Sequence, residues 1–383
     1  MFEFDKSQQQ IQKAVKAFAK GEFDKEEIQE LEKRKEYPTK TWKKAAELGF
    51  IGIHFPEEVS GANLGIFENV IVTEEMCRKD SSMGITISLA GYASECILRF
   101  GNDHLKNKYL PRIVEGEALS GGAFMEPDCG QDLTRISTTA TKDGDSWVIN
   151  GQKTFVLNGG SAEFYIVLCQ TSPDSSVTKD GAGLILVESA TEGLASKDLG
   201  TRLGINMMNM SELTFKNARV PAINLIGEEG KGYDHLQKFF SESRILLAAQ
   251  AIGTAQGAYE RALEYIKGRE QFNRPIAAFQ SVRHKIADMC VKIESAKLLT
   301  YEAAQRFDAG KIDPKFSAMT KIAATNAAME VTNEAVQLLG GYGYMTEYEI
   351  EHFYRDAKVL QIREGNFTIL KDIIANTTIG KLK

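Results

Sequence analysis

RISTTATKDGDSWVINGQKTFVLNGG, residues 135–160, is where the chain changes its period. Polar and apolar side chains alternate along it. The pairs Asp143-Gly144 and Asn150-Gly151 are of the kind that supplies the positive φ of tight hairpins. The runs FYIVLCQ (164–170), GLILVE (183–188) and LTFKNARV (213–220) carry the alternation on to Pro221. Strands this short, with turn signals this dense, predict an antiparallel β-sandwich or barrel over residues 119–228.

Both flanks read as helix. Upstream, Ile11, Val15 and Phe18 recur at helical spacing, as do Phe67, Val70, Ile71 and Glu74. Breaks fall at Tyr37-Pro38 and in the loop FPEEVSGANLG (55–65). Residues 1–118 therefore read as an N-terminal helical domain. Downstream of Gly232 only Pro275 and Pro314 interrupt three long helical segments, 243–269, 279–310 and 317–341. With a last helix at 365–380 they predict a four-helix bundle over 229–383. The whole is an α+β multidomain chain.

One carboxylate stands out near the end. YRDAKVLQIREGNFT (354–368) opens as a helix and breaks at Gly365, directly after Glu364. A Glu at such a break can be held by the fold while its side chain enters a cleft, as a base that removes a weakly acidic C–H proton requires. Taken by itself, the residue reads rather as a surface carboxylate at a frayed helix end, because Glu is mostly exposed.

Composition narrows the classes. With 383 residues, the chain is long for one core, and 43% apolar with 26% charged residues is ordinary for a soluble globular protein. A net charge of −6 argues against nucleic acid as the main partner. Five scattered cysteines without a C-x-x-C pair suggest reduced thiols in a cytoplasmic protein. The five histidines form no metal-ligand cluster, and no signal peptide or membrane-spanning run is visible.

Six blocks, in order, resemble the acyl-CoA dehydrogenase family: MEPDCGQD (125–132), INGQKTFVLNGG (149–160), SRILLAAQAIG (243–253), REQFNRPIAAFQ (269–280), QLLGGYGY (337–344) and YRDAKVLQIREGN (354–366). None is specific alone; together they cover the chain. The resemblance implies a helical domain, a β domain and a helical bundle. It also implies an FAD-dependent enzyme that converts an acyl-CoA thioester to the 2,3-enoyl-CoA. Glu364 falls on the position of the base, and its own N–H on that of an oxyanion donor. The minority base position falls on Ser243, which cannot serve.

By the same resemblance Phe124, Met125, Gln131, Phe155 and Leu157 line the flavin. Arg269, Phe272 and Gln280 hold its pyrophosphate and adenine end across a subunit interface, with Gln337, Gly340 and Gly341 as the partner stretch. Asn366 and Thr368 contact the cofactor. Ser88, Tyr92, Gln131, Ser241, Arg244, Arg363 and Gly365 fall on the substrate side. A homotetramer that passes electrons to an electron-transferring flavoprotein is implied. The same site run in reverse, as an enoyl-CoA reductase, is a rival reading; so are a DNA-associated relative and a non-catalytic scaffold.

Departures from the family pattern are informative. Met125 and Leu157 stand where the family has threonines that bond the ring edge, so the flavin potential is open to change. Arg363 stands where an uncharged residue is usual. It either turns outward or pairs with a neighbouring carboxylate, or it reaches the acyl pocket and binds a carboxylated substrate. Gly84 occupies the position of the glutaryl-binding Arg, which disfavours that substrate there. In the expected pocket floor (85–97), Ala90, Gly91 and Ala93, with Gly84, leave room for a bulky, branched, cyclic or aryl acyl group.

Overall fold

The computed structural model describes residues 2–172 and 181–380. Its first part is helical: α1 (Lys6–Glu22), α2 (Lys25–Arg34), α3 (Thr39–Glu47), α4 (Ile66–Lys79), α5 (Ser81–Ser88), α6 (Ser94–Phe100) and α7 (Asp103–Val114). Asp5 opens α1 with a reciprocal capping box to Gln8, and Asp24, Asp80 and Asn102 cap α2, α5 and α7 through their side chains. Gly84 does not open a pocket. A Cβ there would lie 2.4 Å from the Cys77 backbone nitrogen, so the glycine lets α5 cross tightly over α4.

The middle part is a sheet of β1 (Ser120–Ala123), β2 (Thr139–Asp143), β3 (Ser146–Leu157), β4 (Phe164–Gln170), β5 (Ala182–Glu188), β6 (Leu194–Asp198), β7 (Met210–Pro221) and β8 (Leu225–Ile226). The order is β6-β7-β3-β2-β4-β5-β8, with β1 on β4. Most pairs are antiparallel, as the turn signals suggested, but β1 and β2 each run parallel to β4. Asp143-Gly144 makes the β2–β3 turn. Asn150-Gly151 makes none: it lies inside β3, at a register shift against β7. Asn150 Oδ1 accepts from the Asn217 amide at 2.8 Å, and a Cβ on Gly151 would meet Thr138 Cα at 2.6 Å. The dipeptide is used for a bulge and a close strand approach rather than for a reversal.

The last part is built on α8 (Gly232–Gly268), α9 (Gln280–Asp308) and α10 (Pro314–Leu339), followed by α11 (Ile350–Ile362) and α12 (Phe367–Ile379). Two short helices, both packed on α10, share the place given to one fourth helix. A small hairpin, β9 (Glu270–Gln271) and β10 (Arg274–Pro275), links α8 to α9. Helix α8 runs through the middle of the molecule. Gly253 and Gly257 sit against the backbone of α4, where a Cβ would approach the Glu74 and Arg78 carbonyl oxygens to 2.3 and 2.2 Å.

Helix α11 is tied to the rest by buried charges. Asp356 accepts from Ser81 Oγ (2.7 Å) and from the Ile205 amide (2.9 Å), joining all three parts at one carboxylate. Beside it His352 Nε2 lies 3.0 Å from Asp80 Oδ2. Burial would lower the imidazole; Asp80, with Asp356 and Glu351, outweighs it and raises the group to about 9. A pKa raised on folding stabilises fully below the unfolded value near 6.5 and is lost as pH climbs through about 9. The melting temperature of the wild type should therefore fall relative to His352→Gln between pH 6.5 and 9.5, by the equivalent of roughly 2 kcal/mol. Parallel Tm-against-pH curves would refute the pairing.

Candidate active site

Helix α11 stops at Ile362 because the backbone turns away. Arg363 is extended, Glu364 takes the left-handed region at φ +59, and Gly365 follows at φ +102. Asn366 then caps α12, accepting from the Ile369 amide at 3.1 Å. A non-glycine residue with positive φ is strained and persists only where its surroundings fix it. Here four consecutive carbonyls are each taken by a side chain. Gln131 Nε2 donates to Ile362 O (2.6 Å), Arg244 Nε to Glu364 O (3.0 Å), and Lys321 Nζ to the carbonyls of Arg363 and Gly365. Gln131 also accepts from the Asn366 amide at 2.5 Å. The three donors come from the β domain, α8 and α10.

Lys321 was not singled out from the sequence. Burial draws its ammonium down to about 7, against Glu364, which raises it. Burial likewise lowers Arg244, to about 10. The signal for Lys321 was its place among Ser317, Thr320, Ala324, Thr325 and Ala328 on the buried stripe of α10.

The turn closes one end of a cavity of about 260 Å³ between the β-domain rim and α8. Its wall includes Tyr92, Phe124, Leu157, Phe240 and Arg244. The Glu364 side chain is 1% exposed, and neither carboxylate oxygen has a hydrogen-bond partner. Arg363 Nε stands 3.2 Å from Oε1 but is poorly aligned with it. Among the described residues the Glu364 amide donates to nothing.

The rim is anchored below. Lys153 is fully buried; its Nζ donates to Glu126 Oε1 (2.8 Å) and to Phe124 O (3.2 Å). Glu126 also accepts from the Ser137 amide and hydroxyl and from the Thr138 amide. Burial would raise its carboxyl; Lys153 and these donors outweigh burial and hold it at about 2. The Glu of the 125–132 block and the Lys of the 149–160 block are thus one structural pair. Above it β3 shifts register between Lys153 and Val156, and Phe155, at φ +53, turns its ring outward, 56% exposed.

The structure brings Phe124, Met125, Gln131, Phe155, Leu157, Tyr92, Arg244 and Gly365 around one cavity with Glu364. Thr368 is exposed on α12 and does not line the cavity that Glu364 borders. Ser241 faces the other side of α8, in a small cleft beside Arg306 and Phe307. Ser88 lies behind the wall, accepting from Gln250 Nε2 at 2.9 Å. Arg269, Gln337, Gly340 and Gly341 line a separate open groove of about 600 Å³. Phe272, 87% exposed on the β9–β10 hairpin, and Gln280, at the start of α9, flank it without lining it. Within one chain these two sets do not share a cavity. Of the expected fates of Arg363, the outward turn is not found, since the residue is buried, 8% exposed; the approach to a neighbouring carboxylate is, with Nε 3.2 Å from Glu364 Oε1. Among the described residues no group of three or more His, Cys, Asp or Glu is placed to hold a metal, and no helix is long and apolar enough to cross a membrane.

Comparison with known proteins places this geometry. Residues 5–117, 122–218 and 230–379 match the N-terminal, middle and C-terminal domains of acyl-CoA dehydrogenase. An acyl-CoA dehydrogenase of Bacillus subtilis (strain 168) is 38% identical over 372 residues, 97% of each chain. Acryloyl-CoA reductase (NADH) of Anaerotignum propionicum is 37% identical over 382 residues, 99% of this chain and 96% of its own. The structure of butyryl-CoA dehydrogenase from Megasphaera elsdenii superposes with a TM-score of 0.94 at 34% identity, covering 99% of this chain and all of the other. The chain belongs to the acyl-CoA dehydrogenase family, whose members are FAD-dependent oxidoreductases. The residues present fit a flavin ring: Phe155 offers an exposed aromatic face at a cavity flanked by Leu133, Leu157 and Ile369.

Removing the anchor should be costly. Lys153→Met leaves the Glu126 carboxylate buried without its cation, and thermal unfolding at pH 7 should show a loss of about 3 kcal/mol. Adding Glu126→Gln should recover part of it; a single variant as stable as the wild type would show that the pair does not hold the rim.

Proposed function

We propose that the protein is an FAD-dependent acyl-CoA dehydrogenase in which Glu364 takes the α-proton of an acyl-CoA thioester. The observation that carries this reading is a buried carboxylate with both oxygens unfilled, beside its own unfilled amide, at the wall of the cavity. An α-proton is far less acidic than a carboxylic acid, so its removal needs a fixed base and stabilisation of the charge that moves onto the thioester oxygen. Glu364 supplies the first through its carboxylate and the second through its N–H. The clamp on the surrounding carbonyls keeps both in place without reorganisation. Tyr92, Phe124 and Phe240 exclude water from the carboxylate.

FAD, when bound, supplies the acceptor for the β-hydride. Phe124, Met125, Gln131, Phe155 and Leu157 would hold its ring end. Arg269, Phe272 and Gln280 of one subunit, with Gln337, Gly340 and Gly341 of another, would hold the pyrophosphate and adenine end, Arg269 by paired hydrogen bonds. Asn366 orders the turn beneath the site, and the role given to Thr368 rests on the family pattern alone. A homotetramer of chains divided near 118 and 228, with an electron-transferring flavoprotein as electron partner, completes the reading. The likeness to an acryloyl-CoA reductase supports a second direction, in which Glu364 returns the proton to an enoyl-CoA.

Glu364→Gln should keep its FAD, seen as the yellow absorbance, and lose flavin bleaching by acyl-CoA by about 10³-fold or more under anaerobic conditions. Turnover within tenfold of the wild type would remove Glu364 from the base position.

A further inference from the structure

Behind the cavity wall lies an arrangement that the reaction itself does not require. Arg363 turns inward from the base turn. Its Nη2 donates to Gln250 Oε1 at 2.6 Å, and its guanidinium lies 5.8 Å from the centre of the Tyr92 ring. Gln250 Nε2 in turn donates to Ser88 Oγ, and Ser88 donates to Ile85 O at 3.0 Å. This chain of side chains fills the gap between α5 and α8. On its far side is a second, smaller space of about 40 Å³ that Ser88, Gly91 and Leu246 line. Tyr92 belongs to the wall of the first cavity and the adjacent Gly91 to the second. Neither Gln250 nor Arg363 lines the first cavity.

We propose that Arg363, held by Gln250 and Ser88 behind the Tyr92 wall, is a polar stopper that keeps the acyl site from extending past Tyr92, so that the substrates are thioesters of three or four carbons. The inference rests on the function proposed above, since it takes the Glu364 cavity as the acyl site. An apolar chain that grew past this point would have to push a buried guanidinium away from Gln250 and from Glu364, leaving both without compensation. The backbone that carries Arg363 is fixed, its carbonyl held by Lys321 and its amide by Val359 O, and Gln250 holds the guanidinium inward. Two of the four small residues expected to enlarge the pocket are spent on packing: Gly84 on the α4–α5 crossing, and Gly91 where a Cβ would meet Ile113 Cγ2 at 2.6 Å.

The test is a chain-length series on the FAD-loaded enzyme: propionyl-, butyryl-, hexanoyl- and octanoyl-CoA, with glutaryl-CoA as the carboxylated probe and the matching 2-enoyl-CoAs for the reverse direction. The wild type should lose about tenfold or more in kcat/KM from butyryl to hexanoyl. In Arg363→Ala the hexanoyl-to-butyryl ratio should rise by about tenfold, chiefly through a lower KM for hexanoyl-CoA. Should that variant not fold, Gln250→Leu removes the anchor and should move the ratio the same way. Wild-type turnover of hexanoyl- and octanoyl-CoA equal to that of butyryl-CoA overturns the stopper and leaves the proposed reaction standing. So does a preference for glutaryl- over butyryl-CoA that Arg363→Ala abolishes, since Arg363 would then be reading a carboxylate. A flavin that none of these thioesters reduces or reoxidises overturns the reaction and the stopper together.

Discussion

Four carbonyls between Ile362 and Gly365, each accepting from a side chain of another element, are the constraint on which the site depends. A helix end normally leaves its last carbonyls to water or to a capping turn. At the α11–α12 break the Glu364 and Arg363 carbonyls are bonded in the interior, by Arg244 and Lys321, and Gln131 takes the Ile362 carbonyl at the exposed end. Their positions come from three parts of the chain, so the left-handed conformation of Glu364 is stable only when all three are packed together. The geometry of one carboxylate is thus a reading of the tertiary structure rather than of its own helix.

The same logic explains which parts of the molecule could be read from residues alone. The change of period near residue 135 and the long apolar stripes after Gly232 report burial directly, and the three-part architecture followed from them. The break at Glu364-Gly365 was legible as a local signal, but that signal alone favoured a surface carboxylate; the resemblance of the six blocks singled Glu364 out. Lys321 and Lys153 were not, because a buried lysine looks like any lysine until the carbonyls or carboxylate around it are known. Asn150-Gly151 misled for the opposite reason. Its turn chemistry is genuine, but a strand pressed against Thr138 needs the same permissive backbone, and tertiary contact decided between the two uses. Gly84 and Gly91 were taken for space and turned out to be contact.

Arg363 illustrates a further limit of local reasoning. Exposure is the common fate of an arginine, and a position before a surface-seeking glutamate gives no reason to expect otherwise. Its burial follows from the direction in which the clamped turn points the side chain, towards Gln250 rather than solvent. The arginine next to the base is thus packed behind the Tyr92 wall of the cavity, while Glu364 itself lines that cavity.

The separation of the two residue sets proposed to hold the cofactor has a consequence for the protein in solution. Gln131, Phe155 and Leu157 open on one cavity; Arg269, Gln337, Gly340 and Gly341 line another groove altogether. If, as proposed, the dinucleotide is shared between chains, the free energy of binding it belongs to the assembly. Loading and association become linked equilibria. Dilution would empty the site as it separates the subunits, and added cofactor would draw them together, so the holoenzyme fraction would depend on protein concentration as well as on cofactor concentration.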